Sequence, residues 1–172
     1  GKMGYTTKLV AQLMRDLGSI PAPMNSFILN LGLQTLHLRM AQHCSNAQRV
    51  AEFLQADPRV AWVHYSGLPG DAYHELAEKY LPGGSCGVIA FGLKGDRETA
   101  IRFMDSLDMI NIVTHVADAR TCVLHPASHT HRQLSDEQLR EAGVAPDLIR
   151  LSVGIEDCDD ILDDIRQALD KI

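Results

Sequence analysis

From Leu29 to Leu54 the chain repeats apolar residues at steps of three or four: Leu29, Leu33, Leu36, Met40, Cys44, Ala47, Ala51 and Leu54. Steps of that size place side chains on one face of an α-helix. The pattern predicts one continuous helix from about Met24 to Gln55, roughly 45–50 Å long at 1.5 Å per residue. Such a helix outspans a small domain. It is expected to connect to, or brace against, something outside the rest of the sequence. Asp57-Pro58 ends it, because a residue before proline is pushed out of the helical region.

The elements around this helix follow from their own periodicities. Tyr5 to Leu17 reads as a helix with Leu9, Leu13 and Leu17 on one side, stopped by Gly18 and followed by the rigid connector Ile20-Pro21-Ala22-Pro23. Strands are predicted at Val60–Tyr65, Cys86–Leu93, Met109–Val113 and Leu148–Glu156. Of these, Cys86–Leu93 is apolar on both faces and hence central or covered on both sides. Between them lie a short helix to about Tyr80 capped by Asp71, a helix opened by Gly95-Asp96, and a helix with a Ser135/Gln138 capping box. An amphipathic helix from Asp159 to Ile172 turns Ile161, Leu162, Ile165 and Leu169 inward. The expected fold class is α/β, an α+β sandwich with a small mixed or antiparallel sheet of about four strands covered by helices. Residues 1–56 form the N-terminal helix and long linking helix, and 57–172 the α/β domain. His115 to Thr130 is polar and irregular, and is the candidate functional loop.

One strand carries a charge that packing does not require. In Leu148-Ile149-Arg150-Leu151-Ser152-Val153, alternation sends Ile149, Leu151 and Val153 to one face and Leu148, Arg150 and Ser152 to the other. A guanidinium offers a planar fork of donors that fits a carboxylate or phosphate bidentately. Taken alone, Arg150 reads equally as a surface residue or a structural ion pair.

Composition narrows the classes. At 172 residues, 45% hydrophobic and 22% charged, the chain can bury a real core as one domain. A net charge of −6 and a pI near 5.7 disfavour nucleic acid or an anionic membrane as the main partner. No apolar run reaches the roughly 18 residues of a membrane span. Cys44, Cys86, Cys122 and Cys158 are widely spaced without a Cys-x-x-Cys pair, which favours reduced thiols in the cytoplasm.

Other candidate sites are weaker. His115, His125, His129 and His131 invite a zinc reading, but Pro126-Ala127-Ser128 cannot align them on a helix, so hydrogen bonding or substrate contact is preferred. Lys8 after Thr6-Thr7 resembles a Schiff-base lysine only superficially and reads as a solvated helix residue. Gly83-Gly84, Gly92 and Gly95 fit strand-end turns, lacking a phosphate-loop pattern. Ser128 beside His129 is adjacency without geometry, and Cys122 has no identifiable partner.

Longer motifs carry more. His125-Pro126-Ala127-Ser128, Thr130-His131, Gln133-Leu134-Ser135, Ala142-Gly143-Val144, Pro146-Asp147 and Ile149-Arg150-Leu151-Ser152-Val153-Gly154-Ile155-Glu156 together resemble the C-terminal domain of the Cys/Met-metabolism pyridoxal-phosphate enzymes of fold type I. Tyr80-Leu81-Pro82-Gly83-Gly84, Phe91-Gly92-Leu93-Lys94-Gly95 and Leu36-x-Leu38-Arg39-Met40 look like the O-acetylhomoserine sulfhydrylase branch. The resemblance covers nearly the whole chain. It implies that a large domain with the phosphate cradle and the Schiff-base lysine precedes Gly1, leaving no catalytic, cofactor-binding or metal residue here. It implies that Arg150 binds the substrate α-carboxylate, with His115 and Val116 at the site mouth. His115 stands where relatives have Ser or Asn, Ala117 where glycine is common, and His129 where Thr or Met is usual. The implied partners are the chain's own large domain, a small amino-acid substrate and further copies in a homo-oligomer, a tetramer in the family. The fragment alone is expected to be inactive and free of pyridoxal phosphate. Sister activities (cystathionine synthase or lyase, methionine γ-lyase) and a non-catalytic oligomerisation module are the alternatives.

Overall fold

The computed structural model describes all of residues 1–172, which divide into two compact units, Gly1–His37 and Leu38–Ile172. The first unit holds α1 (Gly4–Lys8), a π-helical stretch Leu9–Met14, α2 (Arg15–Leu17) and α3 (Pro23–Gln34). As expected, Gly18 ends the first helical run, in a left-handed conformation with φ 68°.

The long helix is not continuous. It breaks at Thr35, whose φ of −112° and ψ of 6° are not helical, and resumes as α4 (Leu36–Ala56). Asn30, Gly32 and Thr35 are three weak helix formers within six residues, which the apolar periodicity alone had masked. The stripe divides as well. His43, Asn46, Ala47, Val50, Ala51 and Leu54 are buried on α4, whereas Leu29, Leu33 and Leu36 stay exposed. The unit boundary therefore falls inside a helix that the periodicity had assigned whole to the N-terminal segment.

The second unit is built on one sheet of five strands, ordered β1 (Val60–His64), β2 (Val88–Leu93), β5 (Leu148–Ser152), β4 (Cys122–Leu124), β3 (Asn111–Ile112). All neighbours are antiparallel except β3 and β4, so the sheet is mixed, as expected. The count is five and not four, because β4 lies inside the stretch that sequence polarity marked as irregular. Three apolar residues between a polar loop and a proline turn are too few to show a period of two. Helices α5 (His74–Tyr80), α6 (Arg97–Asp105), α7 (Asp136–Glu141) and α8 (Cys158–Leu169) complete the fold. Asp96 caps α6 by accepting from the Thr99 N–H, and the Ser135/Gln138 capping box opens α7. Asp71 does not cap α5. Its carboxylate instead accepts the main-chain N–H groups of Tyr65 and Tyr73, stitching the turn before the helix.

The alternation of β2 and β5 sets the layers. Ile89, Phe91, Leu93, Ile149, Leu151 and Val123 form one buried face with Val50 and Leu54 of α4, Phe103 of α6, and Ile161, Ile165 and Leu169 of α8. Phe91 and Phe103 meet edge to face at 5.9 Å. The opposite face carries Val88, Ala90, Leu148, Arg150, Ser152, Cys122 and Leu124. No helix of the chain is long and apolar enough to cross a membrane.

Candidate substrate-carboxylate site

Arg150 sits on the central strand, on the face away from the core helices, with Ala90 of β2 and Leu124 of β4 beside it in register. Its Nη2 donates to the carbonyl of Thr114 at 3.0 Å and of His115 at 3.4 Å. Its Nε is buried and has no partner. An orphaned donor on a charged group costs on the order of 1–3 kcal/mol or more, so it calls for a partner such as a water, an ion or a ligand. No carboxylate side chain of these 172 residues pairs with Arg150.

The segment 114–121 frames this arginine. His115 and Val116 are exposed beside it, and the His115 ring pairs with Asp118 at 3.4 Å. The Asp118 carboxylate accepts the Arg120 main-chain N–H and faces its guanidinium, which together hold its pKa down to about 2. Ala117 is the one non-glycine residue with positive φ, at 61°, and its N–H reaches the Ser152 hydroxyl at 3.2 Å. A cavity of about 180 Å³ lined by Asn111, Val113, His115, Arg120 and Cys122 opens next to it. Cys122 lies opposite Ser152 and donates its thiol to the Arg120 carbonyl; burial pushes its pKa up.

The far end of the segment is bolted to the turn after β5. Glu156 accepts the N–H and the hydroxyl of Thr121, and Ile155 donates to the Ala119 carbonyl. Gly154 must lack a side chain here, because a Cβ would strike the Ala119 carbonyl and the Arg120 main chain. From the other side, Asn46 of α4 donates to the carbonyls of Gly154 and Glu156, and His43 to that of Val153. None of these contacts was legible in sequence, since each joins residues more than 30 positions apart.

The histidine cluster does not converge. His125 is fully buried, donating from Nε2 to the Pro146 carbonyl at 2.7 Å and accepting at Nδ1 from the Ser128 hydroxyl at 2.8 Å. Burial lowers its pKa. His129 reaches the His125 carbonyl and His131 the Thr130 hydroxyl. No group of three or more His, Cys, Asp or Glu side chains is placed to hold a metal. Lys8 is exposed on α1. A hollow of about 610 Å³ lies between α4 and the loops around Gly67 and Gly84 and contains none of the Arg150 group. The residues around Arg150 thus bring together a guanidinium with a free buried donor and a polar loop, without a nucleophile and base pair.

Comparison with known proteins meets this geometry. A family described as Cys/Met metabolism PLP-dependent enzyme matches residues 2–170. O-acetyl-L-homoserine sulfhydrylase 1 of Thermus thermophilus is 41% identical over 98% of this chain, and the Leptospira meyeri sulfhydrylase 42% over 99%. Among solved structures, a protein of Campylobacter jejuni named as O-acetylhomoserine (thiol)-lyase superposes with a TM-score of 0.88, at 38% identity over 96% of this chain. The O-acetylhomoserine sulfhydrylase of Wolinella succinogenes gives 0.82, at 30% over 97%. The chain spans about 40% of the length of these relatives, from 39% of the Leptospira and Campylobacter proteins to 44% of the Wolinella one. With the family's model matching residues 2–170 and the relatives' structures superposing on nearly the whole chain, the chain belongs to the Cys/Met metabolism PLP-dependent enzymes.

Proposed function

We propose that this chain supplies the carboxylate-binding half of a pyridoxal-phosphate enzyme that replaces the acetate of O-acetyl-L-homoserine with sulfide to form homocysteine. The observation that carries the reading is Arg150: a half-buried guanidinium held at Nη2 by two carbonyls, with a buried Nε left for a ligand. Bound pyridoxal phosphate supplies the electron sink for breaking bonds at the amino-acid Cα and beyond. Arg150 fixes the α-carboxylate, His115 and Val116 flank it, and the rigid 114–121 segment sets the direction in which the rest of the substrate points.

In this reading the cofactor lysine and phosphate cradle lie elsewhere in the protein. The exposed Met24, Phe27, Ile28 and Leu31 are covered by that larger body or by another copy in a cytoplasmic homo-oligomer. The test is kinetic. In the full-length protein, Arg150→Ala is expected to lower kcat/KM for O-acetylhomoserine by about 10²-fold, the worth of a charge-assisted pair, chiefly through KM. A change under about twofold refutes the role. Turnover with cysteine in preference to sulfide would move the assignment to a cystathionine-forming relative.

A further inference from the structure

We propose that Ser152 is a positioning residue for the carboxylate clamp: its hydroxyl holds Ala117 in a left-handed conformation and so keeps the His115 carbonyl against the Arg150 guanidinium. The inference rests on the reading of Arg150 given above.

Ser152 and Arg150 are two residues apart on β5 and share its non-core face. Ser152 is 2% exposed, with Val88 and Cys122 opposite it in register. Its Oγ accepts the Ala117 N–H at 3.2 Å, while Arg150 donates to the carbonyls of Thr114 and His115. One strand face therefore grips three of the four residues 114–117 through two side chains. The outer ends of the segment are fixed independently: Val113 donates to the Val123 carbonyl, and Thr121 is held by Glu156.

Between those anchors stands a strained residue. At φ 61° the Ala117 Cβ crowds its own following carbonyl, and an L-residue keeps that conformation only where its surroundings hold it. Without the hydroxyl, Ala117 relaxes to negative φ. The peptide linking Val116 to Ala117 then turns, and the His115 carbonyl one peptide earlier swings off Nη2. Arg150 would lose one of the two acceptors that orient its fork, keeping the Thr114 carbonyl and its charge. The hydroxyl thus acts on the ligand through the arginine and does not touch it.

The direct readout is the Arg150 Nε–H signal in the nitrogen-15 NMR spectrum of this chain, assigned by its loss in Arg150→Lys. Ser152→Ala should shift or broaden it. Ser152→Thr, which keeps the hydroxyl, should leave it near the wild-type position. Adding Ala117→Gly to Ser152→Ala should bring it back, since glycine takes positive φ without strain. In the full-length enzyme Ser152→Ala should raise KM for the amino-acid substrate about tenfold with little change in kcat, the worth of about one hydrogen bond. Where the alanine variant fails to fold, Ser152→Cys keeps the volume while weakening the acceptor and answers the same question. An Arg150 Nε signal unmoved by Ser152→Ala, or moved equally with and without Ala117→Gly, overturns the proposal. An unchanged KM in Arg150→Ala instead overturns the carboxylate reading and leaves the NMR result to judge Ser152 by itself.

Discussion

The Glu156 carboxylate accepts both the main-chain N–H of Thr121, at 2.6 Å, and its hydroxyl, at 2.9 Å. The same hydroxyl accepts the Gly154 N–H at 2.9 Å. Three hydrogen bonds thus close the turn after β5 onto the end of the segment that carries His115, and Thr121 is 1% exposed.

Removing Glu156 strands the Thr121 N–H and hydroxyl. Glu156→Ala is expected to destabilise the chain by about 2–4 kcal/mol, and Glu156→Gln by less because one acceptor oxygen remains. Urea unfolding of the two variants measures the difference. Equal stabilities of all three proteins would show that the contact contributes nothing.

His125 makes folding sensitive to mild acid. Its native pKa is lowered by burial, with Arg97 and His129 acting in the same direction and the Pro146 carbonyl and Asp147 against it. The unfolded chain therefore takes up the proton first as pH falls. Stability is full above the ordinary histidine value of about 6.5, and declines below it until the native His125 is protonated too. His125→Asn should be less stable at pH 8 yet lose less on going to pH 5.5. Parallel stability curves for both proteins across that range would contradict the assignment.

Asp164 of α8 holds the loop that leads into β3. Its carboxylate accepts the N–H groups of Asp108, Met109 and Ile110 at 2.8–3.1 Å while the side chain is almost entirely buried. Asp164→Ala should cost about 3–5 kcal/mol by leaving three main-chain donors without a partner. Hydrogen exchange of those three amides should rise together. Retained protection would mean that they are held by something else.

The two halves of the apolar stripe should respond differently. Leu54 is fully buried in the core, so Leu54→Ala should cost about 2–5 kcal/mol. Leu29 is 65% exposed, so Leu29→Ala in this chain should change stability by less than about 0.5 kcal/mol. A large loss at Leu29 in the isolated chain would show that its face is already covered there, for instance by self-association.

Local chemistry was legible wherever partners are neighbours in sequence. The alternation of β5, the Ser135/Gln138 box, the Asp96 cap and the Gly18 stop all involve residues within a turn of one another, so propensity and spacing specify them. Arg150 announced itself as a charge in mid-strand that packing does not require, and the motifs around it supplied the family. What only the tertiary structure decided are the long-range pairings, among them the short strand Cys122–Leu124, which becomes a strand by bonding β5. The positive φ at Ala117, held by a serine 35 residues away, belongs with them. The physical reason is common to both. A hydrogen bond or a strained dihedral between distant residues is stabilised by the assembled sheet and not by its own neighbours, so no local pattern records it.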